Sequence, residues 1–321
     1  MNEVLQQIGS FGLVPVVKID NAADAVPLAR ALREGGLPVA EITFRTAAAE
    51  EAIANIAKAE PEVLLGAGTV LTVDQAERAR KAGAKFIVTP GFSATVVKFC
   101  AERSIPITPG VATPTEIQMA LEHNLEIVKF FPADALGGIK TLKALSAPFG
   151  GVRFIPTGGL SAANLAEYIL FPKVFACGGS WMVKDELIKQ GQFAEITRLT
   201  REAIEIMLGF ELAHVGLNTD DAATSLSIAR QLAMLFNLPL KEGTSSNFAG
   251  KGVEVNKSKG LGTHGHIAIA TNSITRSCAW LERKGVAIDR NSAKKDPSGA
   301  LVAVYLKDEI GGFAVHLLQK K

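Results

Sequence analysis

Residues 127–134, Ile127-Val128-Lys129-Phe130-Phe131-Pro132-Ala133-Asp134, read as a buried β-strand carrying a lysine where an apolar side chain is expected. Burying an ammonium removes its water and penalises the charged form. An amine kept partly neutral is a nucleophile able to form a Schiff base with a carbonyl. The competing reading is a strand-end lysine whose head reaches solvent along its own stem. What surrounds the stretch decides between them.

Outward from it, short β-branched runs alternate with alanine-rich amphipathic segments. The runs are LVPVVKI, VAEITFR, VLLGAGTV, FIVTP, IPITPG, IVKFFPAD, RFIPTGG and VFACGGSW. Between them lie helical windows such as AADAVPLARALREGG and TEIQMALEHNL. Strands apolar on both faces and separated by helices predict a parallel sheet, and eight such units predict an α/β fold of the (β/α)8 TIM-barrel type. Asn2 to Ile8 is expected to form an extra helix plugging the barrel bottom, and Phe193 to Leu208 the last outer helix.

In such a barrel chemistry sits where strands end. Strand two ends in Glu41-Ile-Thr-Phe-Arg45-Thr46, strand three in Gly66-Ala-Gly-Thr69, and strand six supplies Lys129. Period-two alternation puts Glu41, Thr43 and Arg45 on one side. A carboxylate, a guanidinium and a lysine inside one barrel can form a structural ion network. They are also what imine chemistry on a keto acid requires: a proton shuttle, a carboxylate clamp and a nucleophile. Strands seven and eight end in Thr157-Gly158-Gly159 and Gly178-Gly179-Ser180, and barrels often bind phosphate at the loops after those two strands. Ser161-Ala-Ala-Asn164 reads as the capped start of a following helix.

Composition narrows the class. The chain has 321 residues, 48% of them hydrophobic, with a net charge of +2, so neither a nucleic-acid footprint nor a disordered tail is expected. MNEVLQQIGS lacks the basic segment and apolar run of a signal peptide, and no later run is long enough to span a bilayer. Three widely spaced cysteines, Cys100, Cys177 and Cys278, read as reduced thiols of a cytoplasmic protein.

EITFRT, GAGTVLT, TPG, KFFPAD, PTGG and GGSW together resemble the class I 2-keto-3-deoxy-6-phosphogluconate (KDPG) aldolases, which also cleave 4-hydroxy-2-oxoglutarate. The resemblance covers residues 1–208. It implies Lys129 as the Schiff-base lysine and Glu41 as proton shuttle. Arg45 and Thr69 would hold the pyruvyl carboxylate, and Phe131 would wall the pocket. Gly158, Gly159, Gly179 and Ser180 would hold the distal phosphate, with Thr157 beside them. It further implies a homotrimer, a small keto-acid substrate and no cofactor for this domain. Asp134 departs from the family, whose members usually carry Glu there. A metal-dependent aldolase is disfavoured, because this part of the chain has only one histidine, His123, in a helical window.

Residues 209–321 differ in character and hold four of the five histidines: His214, His264, His266 and His316. Ala213-His-Val-Gly-Leu-Asn-Thr219 repeats as Gly265-His-Ile-Ala-Ile-Ala-Thr271. Each copy precedes a helical window and further strands, which predicts a small α+β domain of paired βαβββ modules around a curved sheet. His214, Glu254, His266 and His316 each sit between apolar or small neighbours, so alternation turns all four away from the covering helices. Residues 211–319 resemble the vicinal oxygen chelate superfamily, which includes glyoxalase I. The resemblance implies a divalent metal held by those four residues, His316 standing where relatives commonly carry Glu. His264 is expected outside the ligand set, at the entrance. The competing reading is a metal-free assembly module, and for the whole chain a ligand-binding or regulatory protein rather than an enzyme.

Overall fold

The computed structural model describes residues 2–320 and divides into two compact units, Met1–Met207 and Leu208–Lys321. The first is a TIM-barrel-like α/β unit and the second a separate sheet-rich unit.

In the first unit the strands are β1 (Leu13–Val17), β2 (Val39–Thr43), β3 (Leu64–Gly68), β4 (Phe86–Val88), β5 (Ile107–Thr108), β6 (Gly110–Val111), β7 (Ile127–Phe130), β8 (Arg153–Pro156) and β9 (Cys177–Gly179). They form a six-stranded sheet, β5-β4-β3-β2-β1-β9, and a three-stranded sheet, β6-β7-β8, all pairings parallel. The run IPITPG is therefore not one strand. Pro109 divides it into β5 and β6, since proline has no N–H to give the ladder. A parallel bridge between Thr157 and Gly178 joins the β8 end to the β9 end.

The helices start and stop where local chemistry requires. Thr113 and Glu116 form a capping box around Pro114, which opens the helix Pro114–Glu122. Asn2 caps the helix Glu3–Phe11, which ends at Gly12 in the left-handed conformation. Its Ile8 is buried and lines the same small interior cavity as Val14, Phe86 and Ile155. The helix Phe193–Leu208 packs on the helix Ala25–Glu34, where Thr197 Oγ1 donates to the Ala31 carbonyl at 3.0 Å. Gly35 allows this approach, because a Cβ there would lie 2.6 Å from that of Thr200. Ser161 does not begin a helix. The next helix is Leu165–Ile169, and Asn164 instead accepts from the Ser161 N–H at 2.8 Å and donates to the Gly159 carbonyl at 3.1 Å.

The second unit contains β10 (Glu211–Leu217), a helix Ala222–Leu235, β11 (Leu240–Glu242), β12 (Ser246–Ala249) and β13 (Val253–Asn256). Then follow β14 (Gly265–Thr271), a helix Ile274–Arg283, β15 (Ile288–Lys295), β16 (Leu301–Leu306) and β17 (Phe313–Gln319). All eight strands form one sheet in the order β11-β12-β13-β10-β14-β17-β16-β15. The order mirrors about the antiparallel β10–β14 pair, each of whose strands has a parallel neighbour on its other side. Ile274 and Cys278 of the second helix pack on Val304 and Leu317, which fixes one face of β16 and β17 toward that helix. The residues alternating with these point to the other face.

Candidate functional site

Lys129 lies in β7 with only 5% of its surface exposed, and Glu41 in β2 with 3%. Register places Glu41 level with Val16 and Gly66, and Lys129 level with Gly110 and Ile155. Across the interior, Lys129 Nζ donates to Glu41 Oε1 at 3.2 Å. Two charges removed from water cost several kcal/mol each, and such a pair is weak support for stability on its own. Its position speaks for chemistry. The pair borders the small cavity that Thr108 and Thr157 also line.

The other expected residues gather at the same strand ends. Phe131 follows β7, and its ring centroid is 5.2 Å from Lys129 Nζ. Thr69 directly follows β3 and has φ 54°. A β-branched residue in the left-handed region is a true outlier, and strain of about 1–3 kcal/mol collects at functional sites. Arg45 lies two residues beyond the end of β2 and is exposed, its Nε donating to Thr43 Oγ1 at 3.1 Å. Thr43 in turn donates to the Val17 carbonyl at 2.8 Å, so the guanidinium is tethered to the first two strands.

At the ends of β8 and β9, Gly158 and Gly159 have φ 94° and 81°, and the Gly159 position would bring a Cβ within 2.2 Å of Asp134. Gly179 is buried under the Trp181 ring, and Ser180 beyond it is exposed. Thr157 is buried and bridges to Gly178. Sequence reasoning missed Gly68, where a Cβ would lie 2.0 Å from Glu41 Oε1. The only available signal was the GAG run itself. His123 caps a helix end, its Nδ1 2.9 Å from the Met119 carbonyl, apart from these residues.

A second cluster forms on the face of the other sheet opposite the helix Ile274–Arg283. Register puts Glu254 and His266 on either side of Gly216, and His214 and His316 on either side of Ala268. A small residue thus lies between each pair of polar side chains; a Cβ on Gly216 would meet the His266 ring at 2.0 Å. Glu254 Oε2 is 3.0 Å from His214 Nε2 and 3.2 Å from His266 Nε2. Ser246 Oγ donates to the other carboxylate oxygen at 2.5 Å. Burial opposes ionisation of Glu254, but the hydrogen bonds from His214, His266 and Ser246 outweigh it and hold the carboxyl well below its usual range.

His316 is buried with neither ring nitrogen hydrogen-bonded. Burial, then the neighbouring His266 and His214, pushes it down to about 4, so the ring is a neutral donor at pH 7. One ligand atom from each of His214, His266 and His316 lies within 4.8 Å of the others. Ligands of one ion with bonds of about 2.0–2.2 Å are no more than about 4.4 Å apart, so a slight contraction suffices. Three imidazoles, one of them with both ring nitrogens orphaned, can take a divalent cation; Glu254 reaches His214 and His266 but does not join them and His316 in the one close group. Tyr305 stacks on His316 at 4.7 Å between centroids, and Phe248 meets His214 edge-on at 5.9 Å. His264 stays outside, exposed ahead of β14 with its ring against Phe313.

Comparison with known proteins bears on the first unit. A family model described as "Aldolase: KDPG and KHG aldolase" matches residues 4–199. The 2-dehydro-3-deoxy-phosphogluconate aldolase of Treponema pallidum is 49% identical over 207 residues, 64% of this chain and 99% of that one. The KHG/KDPG aldolase of Escherichia coli K12 is 44% identical over 193 residues, 60% and 91% of the respective chains. The crystal structure of the KDPG aldolase of Legionella pneumophila, with pyruvate captured as a covalent carbinolamine, superposes with a TM-score of 0.61 at 39% identity. It covers 63% of this chain and 98% of that one.

Proposed function

The chain belongs to the KDPG and KHG aldolase family, and from that premise we propose that its first unit cleaves a 2-keto acid through a Schiff base on Lys129. It is a lyase. The substrate is 2-keto-3-deoxy-6-phosphogluconate, giving pyruvate and glyceraldehyde 3-phosphate, and/or 4-hydroxy-2-oxoglutarate, giving pyruvate and glyoxylate. The observation that carries the reading is the buried contact between Lys129 and Glu41.

Glu41 takes a proton from Lys129, the freed amine attacks the C2 carbonyl carbon, and Glu41 passes protons on as the carbinolamine forms and loses water. The Glu41 carboxylate then takes the proton of the C4 hydroxyl. The C3–C4 bond breaks, its electron pair moving toward the iminium nitrogen, and the aldehyde leaves. The enamine is reprotonated at C3 and water releases pyruvate from Lys129. Arg45 and Thr69 clamp the carboxylate and Phe131 walls the pocket. Gly158, Gly159, Gly179 and Ser180 hold the distal phosphate, with Thr157 beside them. In this reading the ring closes as a (β/α)8 barrel, supported by the single-residue gap at Pro109 and the Thr157–Gly178 bridge. It works as a homotrimer, as the family resemblance implies, in the cytoplasm, as its three separate cysteines suggest.

Residues 209–321 form in this reading a glyoxalase-like domain of paired βαβββ modules, with His214, Glu254, His266 and His316 holding one divalent metal. Bound there, the ion would supply Lewis acidity. The orphaned nitrogens of His316 support this assignment.

Borohydride reduction with pyruvate tests the first reading. One pyruvyl group should appear on Lys129, be lost in Lys129→Ala, and form equally well in EDTA. Chelator-sensitive cleavage without an adduct would refute it.

A further inference from the structure

Glu254 has two oxygens and they are treated differently. Oε2 faces both His214 and His266, while Oε1 is engaged by Ser246 Oγ at 2.5 Å. Ser246 is itself buried, with 4% of its surface exposed. Its backbone is fixed on both sides. The Gly243 N–H donates to its carbonyl at 2.9 Å, and its residue pairs with Asn256 across β12 and β13. The hydroxyl is therefore an aimed donor rather than a mobile surface group. A carboxylate with one oxygen held in this way presents the other alone, and an oxygen that keeps a charge-assisted donor is a poor second ligand.

We infer that Ser246 is a positioning residue for the His214–Glu254–His266–His316 cluster: it confines Glu254 to a single-oxygen contact with the ion and leaves the remaining coordination positions open. This rests on reading that cluster as a metal site. Groups that orient a ligand from behind change affinity by about 10–100-fold when removed, although they never touch the metal. No periodic pattern marks Ser246 in the sequence. It lies eight positions before Glu254, on the neighbouring strand, and only the hairpin brings the two together.

The alternative is that Ser246 merely satisfies a half-buried carboxylate. On that alternative Ser246→Ala would lower the melting temperature of the metal-stripped protein and leave the geometry of the bound ion unchanged. The experiment uses the full chain without a tag, stripped with EDTA and titrated with Co(II), followed by visible absorption, with Zn(II) in competition. The wild-type chain should bind one ion. Ser246→Ala should bind about 10–100-fold more weakly and with an altered d–d band, as the freed Oε1 enters the coordination shell. Ser246→Thr keeps the hydroxyl and should restore both affinity and band. Unchanged affinity and band in Ser246→Ala would overturn the positioning role while leaving the metal site standing. No binding of either ion by the wild-type chain would overturn both. If Ser246→Ala does not fold, Ser246→Val replaces it, having no hydroxyl and suiting a strand; wild-type affinity and band there would refute the proposal.

Discussion

A methyl group on Gly68 would lie 2.0 Å from Glu41 Oε1, the same oxygen that accepts from Lys129 Nζ. The end of β3 is thus shaped to leave room for the carboxylate of β2. Gly68→Ala should fold with a loss of roughly 1–3 kcal/mol from overpacking. Turnover should fall far more than that loss accounts for, because the carboxylate must turn from the lysine. Borohydride trapping and single-turnover cleavage check this. Full activity in a correctly folded Gly68→Ala would remove Glu41 from the mechanism.

Glu41→Gln keeps the shape and removes the base. Cleavage should drop by about 10²–10⁴-fold, while circular dichroism stays native. A retained rate would assign the proton transfers elsewhere.

The two ends of the substrate should separate by mutation. Ser180→Ala removes a hydroxyl donor worth about 1.5–3 kcal/mol if it meets a phosphate. It should raise KM for the phosphorylated substrate and barely affect 4-hydroxy-2-oxoglutarate. Arg45→Ala should impair both, since both present the same keto-acid end. Equal losses for both substrates in Ser180→Ala would refute the phosphate assignment.

His266→Ala should lose most of the metal in elemental analysis, because it leaves a gap beside Glu254 and His214. His264→Ala, exposed and outside the cluster, should retain it. Aldol cleavage should survive in both. Equal metal content in the two variants would dissolve the proposed ligand set.

Burial pushes the Cys100 thiol up to about 12 and raises that of Cys278 as well. The thiolate is the reactive form, so a thiol reagent at pH 8 should not label either residue until the chain is unfolded. Rapid labelling of the native protein would contradict their burial.

Part of this was legible from sequence because single residues broke a local pattern. Lys129 interrupts an apolar strand, and the four ligand-type residues of the second unit each sit between small or apolar neighbours. What was hidden depends on contacts between strands. Gly68 gains its role from a side chain in β2, and Ser246 from a hairpin register. Ser161-Ala-Ala-Asn164 misled because Asn164 reaches backward to the Ser161 N–H and so shapes a turn where a cap was expected. Arg45 read as a strand residue, but the extended conformation stops at Thr43.

The mirrored strand order has a consequence for the assembly of the second unit. Glu254 and His266 flank Gly216, and His316 and His214 flank Ala268, so each pair joins a residue of one half-sheet to a residue of the other. Neither half owns a complete pair, and an ion seated there would act as a clasp across the β10–β14 seam. Two peptides, 209–259 and 260–321, should therefore find each other more tightly when the ion is supplied. Metal-independent association of the peptides would show that the seam needs no clasp.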